Sequence, residues 1–138
     1  MAETTLPVEH VMNVELTTSV ASLIGNAPLG TRVVVGGEGG TFEGPKVKGT
    51  IHPPGGDWVT VRADGNLALD VRLLLRTDDG ADILMTYTGI GLEGGAKLRT
   101  TPRFETGDER YAWLNAVQCV GLGATGENSV SYEVYAVL

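Results

Sequence analysis

The chain has 138 residues, 42% of them hydrophobic and 20% charged, which suits one globular domain, 1–138, large enough to bury a core. Its net charge is −7 and its ten Lys and Arg form no run, which argues against a nucleic-acid or anionic-membrane partner, since both demand a basic patch. A single cysteine leaves no intramolecular disulfide, the opening MAETTLPVEH has no signal-peptide pattern, and no apolar run reaches the roughly 18 residues of a membrane span, so a cytoplasmic protein is expected.

In chain order, alternation of period two begins at once. In PVEHVMNVELTT, Val8, His10, Met12, Val14 and Leu16 share one face, with Glu9, Val11, Asn13 and Glu15 on the other. The clusters GGEGG at 36–40, PPGGD at 53–57, ADGN at 63–66 and TDDG at 77–80 read as turns. NLALDVRLLLRT places Leu67, Leu69, Val71, Leu73 and Leu75 on one side and Asp70, Arg72 and Arg76 opposite. ADILMTYTG and NSVSYEVYAVL alternate in the same way, with β-branched and aromatic enrichment. Asp-Gly between alternating runs marks a hairpin. With no helical crossovers, the pattern predicts an all-β fold, a single antiparallel barrel of about 8–10 strands whose closure removes the sheet edges.

One segment departs from this period. Thr106 followed by Glu109 has the spacing of a capping box, and Asp108 suits a helix N-terminus, so a short helical turn near 107–114 is predicted. It would plug one end of the barrel and aim Trp113 and Asn115 inward. GIGLEGGAKLRT, just before it, reads as a mobile glycine-rich loop at the same rim.

Several strands set ionisable groups at alternating positions: Asp70 with Arg72, Arg103 with Glu105, and Asp57 beside Trp58. Facing inward, they would give a mixed polar and apolar wall of the kind that orients a small ligand. Facing outward, they would leave the leucine face as core, and alternation alone leaves the two open. Arg103 and Glu105 read equally well as an ion pair fixing the capped turn. His10 and His52 lie far apart with no cysteine or carboxylate at ligand spacing, so no metal site is expected. No G-x-S-x-G elbow, Walker loop or dinucleotide fingerprint occurs, and no helix follows GGEGG to lend it a phosphate site. Cys119 lies in an apolar alternating strand with no basic neighbour and reads as a buried, inert thiol.

Taken together, GGTFEGPKVKGT, GGDWVTVRADG, LDVRLLLRTDDGADI, YTGIG, RTTPRFETGDERYAWLN and VSYEVY resemble the family known as domain of unknown function 3237, over about residue 6 to 138. The resemblance implies a small antiparallel barrel, lipocalin-like or allene-oxide-cyclase-like in outline, and no agreed activity. It places the family's polar motif positions on Asp57, Trp58, Asp70, Arg72, Tyr87, Arg103, Glu105, Tyr111, Trp113 and Asn115. Where relatives commonly carry aromatic residues before the RTTP block, this chain has Lys97 and Leu98, which implies a different guest or a more open loop.

These observations favour a cofactor-independent enzyme acting on a small carbonyl-bearing or phenolic, largely apolar metabolite, as an isomerase, lyase or cyclase. Glu105 or Asp57 would be the general base and Tyr87 the acid or an orienting donor. Arg72 and Arg103 would bind developing negative charge, with Trp58, Trp113, Asn115 and Asp70 completing the binding wall. The alternatives are a non-catalytic carrier using the same lumen, and a structural protein that dimerises through its sheet edge. The sequence leaves the oligomeric state open, a homodimer being the commonest assembly for such chains.

Overall fold

The computed structural model describes residues 2 and 4–138. Nine strands follow in order: β1 (Val8–Ala27), β2 (Gly30–Glu43), β3 (Lys48–Val61), β4 (Leu67–Thr77), β5 (Asp82–Leu92), β6 (Lys97–Thr100), β7 (Arg103–Glu105), β8 (Cys119–Gly126) and β9 (Ser129–Val137). They pair antiparallel in the order β4-β3-β2-β1-β9-β8-β6-β5, and pairing of β4 with β5 closes an eight-stranded barrel. The short β7 adds to β5 outside that closure, along Leu84–Thr86. No helix of the described residues is long and apolar enough to cross a membrane.

The leucine face of β4 turns inward. Leu69, Val71, Leu73 and Leu75 are buried, whereas Asp70, Arg72 and Arg76 are exposed. On β1 the inward set is Met12, Val14 and Leu16, but a register shift against β9 between His10 and Met12 breaks the alternation before them. Val11 is therefore buried as well, and Val8 is exposed instead of sharing the inner face.

Two of the expected turns are not turns. GGEGG lies inside β2 and PPGGD inside β3, where the β2/β3 register jumps between Gly36 and Gly40 and the β3/β4 register between His52 and Gly56. Pro53 and Pro54 have no N–H for a ladder, so the pair is tolerated at a bulge. Gly56 is needed there because a Cβ would lie 2.1 Å from the Val35 carbonyl oxygen. The chain reverses instead at 28–29 and 44–47, between β1, β2 and β3. ADGN and TDDG do form the turns they predict.

One end of the barrel is packed solid. Phe42, Met12, Leu73, Leu75, Ile83, Met85, Val134 and Cys119 fill it, and the 3₁₀ segment Glu109–Ala116 plugs it with Leu114 fully buried. The cap differs from the expected box: Asp108 accepts from the Arg110 N–H at 3.0 Å, while Thr106 donates to the Asp82 carbonyl and accepts from the Asp108 N–H. Tyr111 donates to both Asp79 oxygens, at 2.9 and 2.8 Å, and so ties the plug to the β4–β5 turn. The glycine-rich stretch is not at this rim. It continues β5, makes a 3₁₀ turn at Glu93–Gly95 and enters β6 at the opposite end of the barrel.

Asn115 and Trp113 likewise do not reach a lumen. The Asn115 side chain accepts from the Thr106 N–H at 2.8 Å and donates to the Thr106 carbonyl at 3.0 Å, latching the plug to the end of β7. Trp113 is half-buried against the core, with the Lys46 ammonium 5.2 Å from its ring centroid. Asn115→Ala is therefore expected to lower stability by about 1–2 kcal/mol, at about 1 kcal/mol per hydrogen bond, while leaving ligand binding at the far end unchanged. Urea denaturation with a parallel binding assay measures both; impaired binding in a normally stable variant would contradict the latch.

Candidate active site

The other half of the barrel is hollow. A cavity of about 320 Å³ opens at the end opposite the plug. Its upper walls are aliphatic: Val33 and Val35 from β2, Val59 and Val61 from β3, Leu67 and Leu69 from β4, Leu98 from β6 and Val130 from β9. Where the packed half carries Phe, Met and Leu, this half carries mainly valine with glycine at Gly37 and Gly94, and the smaller side chains leave the space unfilled.

Three polar side chains meet at the boundary between the halves. The β2–β5 ladders carry Val35, Asp57, Val71 and Tyr87 in one row across the wall. Asp57 follows the β3 bulge, which sets the phase of the strand so that Asp57, Val59 and Val61 line the cavity. Tyr132 on β9 reaches the same place across Gly123, its register partner on β8. A Cβ on Gly123 would stand 2.3 Å from the Tyr132 ring, so only glycine leaves that ring its seat. The two phenol rings pack edge to face, centroids 5.2 Å apart and planes at 70°.

Burial dominates the electrostatics. It pushes the Asp57 carboxyl up to about 6, partly opposed by the Asp70 backbone N–H that donates to its Oδ1 at 2.9 Å, with the nearby Asp70 charge adding to the rise. Burial also raises Tyr87 well above an ordinary phenol, reinforced by Tyr132 and by the Asp57 charge. Tyr132 is raised by burial too, with its hydrogen bond to Tyr87 offsetting part of the rise. Near neutral pH the cluster therefore offers one carboxyl poised between its two forms and two firmly neutral phenols. Among the described residues, the cavity lining contains no Lys, Arg or His, and Asp57 is its one acid. A guest bearing a carboxylate or phosphate would find no counter-charge and would face Asp57, so the cavity selects a neutral molecule.

Of the residues singled out in the sequence, Asp57 and Tyr87 line this cavity and the others do not. Asp70 and Arg72 are exposed on the outer face of β4, because the inner face of that strand belongs to its leucines. Arg103 and Glu105 are exposed on β7, flanking the buried Phe104, and no ion pair joins them. Trp58 follows Asp57 and so points outward, 43% exposed. The expected lumen of paired acids and guanidiniums is thus a lumen with one acid and no cation. Tyr132 was not singled out, although alternation in SVSYEVY sets it beside Val130 and Val134 on one face. Cys119 is buried, and burial pushes its thiol up to about 11. Among the described residues no group of three or more His, Cys, Asp and Glu converges to hold a metal.

The pattern of the family described as "Protein of unknown function (DUF3237)" matches residues 6–137. The chain belongs to the DUF3237 family. Among similar proteins, a UPF0311 protein of Rhodopseudomonas palustris is 28% identical over 97% of this chain and 98% of its own. The crystal structure of a conserved protein of unknown function from the same organism superposes with a TM-score of 0.90 at 28% identity, covering 99% of this chain and 100% of that one. The hydroalkoxylation enzyme phnH of Penicillium herquei is 38% identical over 84 residues, which are 60% of this chain and 51% of its own. An enzyme from Penicillium herquei, seen in a crystal structure, covers 100% of this chain and 98% of its own with a TM-score of 0.77 at 25% identity. A barrel of this fold therefore occurs in at least one enzyme.

The raised carboxyl has a consequence for stability. Between the ordinary Asp value of 3.8 and about 6, the folded chain holds a proton that the unfolded chain has lost, so this group makes stability fall as pH rises through that window. Asp57→Asn removes the effect while keeping an oxygen for the Asp70 N–H. The variant is expected to match the parent near pH 4 and to be more stable by about 1–3 kcal/mol near pH 8, at about 1.4 kcal/mol per pKa unit. Denaturation curves at the two pH values measure this, and a variant less stable at pH 8 would contradict a desolvated, costly carboxylate.

Proposed function

We propose that this protein is a cofactor-independent acid–base catalyst that cyclises or isomerises a small, neutral, largely apolar metabolite bearing a phenol, enol or carbonyl group. The observation that carries this reading is Asp57, held at about 6 at the floor of a cation-free cavity beside two neutral phenols. The similarity to a hydroalkoxylation enzyme supports the cyclase branch.

Hydroalkoxylation adds an O–H bond across a C=C bond, so it is redox-neutral and needs one base, one proton return and a held geometry. Asp57 in its carboxylate form takes the proton from the attacking hydroxyl. The oxygen then bonds to one alkene carbon while the electron pair of the C=C bond moves to the other. Where a carbonyl is conjugated to that carbon, Tyr87 and Tyr132 donate hydrogen bonds to the developing enolate oxygen, as donors aimed at growing charge should. The proton returns to carbon from the Asp57 carboxylic acid, and all atoms of the substrate remain in the product. The aliphatic walls exclude water and fold the chain toward its own nucleophile, which supplies much of the acceleration in an intramolecular closure.

A carrier would use the same cavity without this chemistry. Its guest needs no carboxyl whose burial costs the fold stability, and an amide or hydroxyl would orient a neutral ligand as well. Glu105, Arg72 and Arg103 have no part in the reaction here, because they lie outside the cavity.

Turnover is expected to rise with pH through about 6, as Asp57 ionises, and then to stay level until the tyrosines lose their protons well above pH 10. A cell extract incubated with the protein should show a compound converted to an isomer of identical mass and different chromatographic retention. Asp57→Asn should abolish that conversion and Tyr87→Phe slow it about 100- to 1,000-fold, the range for loss of one aligned transition-state donor. Unchanged conversion by Asp57→Asn would overturn the mechanism.

A further inference from the structure

Among the described residues, the outer half of β1 has no neighbour on one side. Its ladder with β9 ends at Thr17 opposite Ser129, followed by one bond from the Thr18 N–H to the Asn128 carbonyl. Beyond that point β1 continues to Ala27, paired only with β2. Among the described residues, nothing meets the backbone donors and acceptors on the other edge of 19–27. The arm is also apolar and exposed: Val20 and Leu23 are each 66% exposed, Ile24 50% and Leu29 78%. From Leu16 to Thr31 there is no charged residue.

Sheet edges in soluble proteins are normally blunted by shortness, charge or proline. The strand β7 follows that rule, with three residues of which two are charged. The β1 arm breaks it over its whole length. A free edge of this kind binds a strand, because only a strand offers backbone partners at the right spacing. The occupant must also tolerate a body of charge −7, and across an uncharged arm two such bodies meet without forcing charges together. Two antiparallel copies of one edge are self-complementary about a two-fold axis and use up both edges, so the assembly closes at two.

The same edge borders the cavity. Val20 lies opposite Val35 and Leu23 opposite Val33, and both β2 valines line the cavity, so Val20 and Leu23 share that inner face. The wall formed by β2, β3 and β4 is tall, whereas at β9 it stops at the rim formed by Thr125, Gly126 and Asn128. A strand added to the free edge of β1 takes the place β9 would have occupied above that rim.

We propose that residues 19–27 pair antiparallel with the same segment of a second copy, making a two-fold dimer in which each copy's arm supplies the missing upper wall of the other's cavity. The pairing rests on the open edge and does not depend on the catalytic reading. The two-fold axis crosses at Leu23, the middle of the arm, with Ser22 beside it.

Sedimentation and light scattering of the full chain should give twice the 14.5 kDa mass of one chain. Amide exchange should protect alternate residues within 19–27 at micromolar concentration and lose that protection on dilution. Ser22 is exposed and paired with Val34, so Ser22→Lys leaves the barrel intact and sets like charges across the axis. The variant should sediment as a monomer with an unchanged β-sheet circular dichroism spectrum, and should bind 4-propylphenol at least several-fold more weakly. A monomeric parent, a dimer whose 19–27 amides exchange freely, or a Ser22→Lys variant that stays dimeric would overturn the pairing. Equal 4-propylphenol binding by monomer and dimer would overturn the shared wall. Failure of both forms to bind 4-propylphenol would also overturn the shared wall, and with it the reading of the cavity as a phenol site, while the pairing itself would stand on the mass and exchange results.

Discussion

The constraint on which the site depends is the desolvation of one carboxyl. Asp57 lies where the packed half of the barrel gives way to the hollow half, and one backbone N–H, from Asp70, donates to it at 2.9 Å. A second donor or a neighbouring guanidinium would pull the carboxyl back toward its ordinary range. The absence of cations from the cavity lining therefore tunes the acid as directly as any contact. The phenols add to this, since neutral donors stabilise charge on a guest without fixing the carboxyl as an anion.

Barrel geometry explains why the carboxyl is there. Eight strands enclose an interior that side chains can just fill, and the chain fills it with phenylalanine, methionine and leucine at one end and leaves it open above a belt of valines at the other. The β3 bulge at Pro53–Gly55 sets the strand's phase, so that Asp57 faces the cavity while Trp58 faces water. Gly123 on the far wall gives Tyr132 room to complete the cluster. The hollow end is also where the barrel wall is uneven, with the β1 arm rising past the end of β9. Access to the site and exposure of the arm are thus two results of one mismatch in strand length.

Much of the fold was legible in the sequence. Alternation in NLALDVRLLLRT and the Asp-Gly turn gave strands, hairpins and the all-β class, because a half-buried strand repeats every two residues whatever its partners. The plug was visible as a cluster of cap-forming residues, although Asp108 caps it in place of Thr106. Which face pointed inward was not legible, since alternation has no sign. Once leucines line the lumen, Arg72 and Asp70 must go to solvent, and a site built on them dissolves. GGEGG and PPGGD misled because glycine and proline mark any interruption of a ladder, and a bulge within two long paired strands has the same composition as a turn. Tyr132 was missed because its role depends on a glycine across the ladder and on a carboxyl three strands beyond, a relation that exists only after closure.

The central claim is that the Asp57 carboxyl, half-buried in a cation-free cavity, is desolvated enough to change protonation near neutral pH. Carbon-13 NMR of the side-chain carboxyl resonances, with Asp57 assigned by its loss in Asp57→Asn, tests this most directly. The account predicts a titration midpoint of about 6 for that one resonance. A midpoint near the ordinary 3.8 would mean a solvated carboxylate, and would contradict both the poised base and the desolvated setting that holds it.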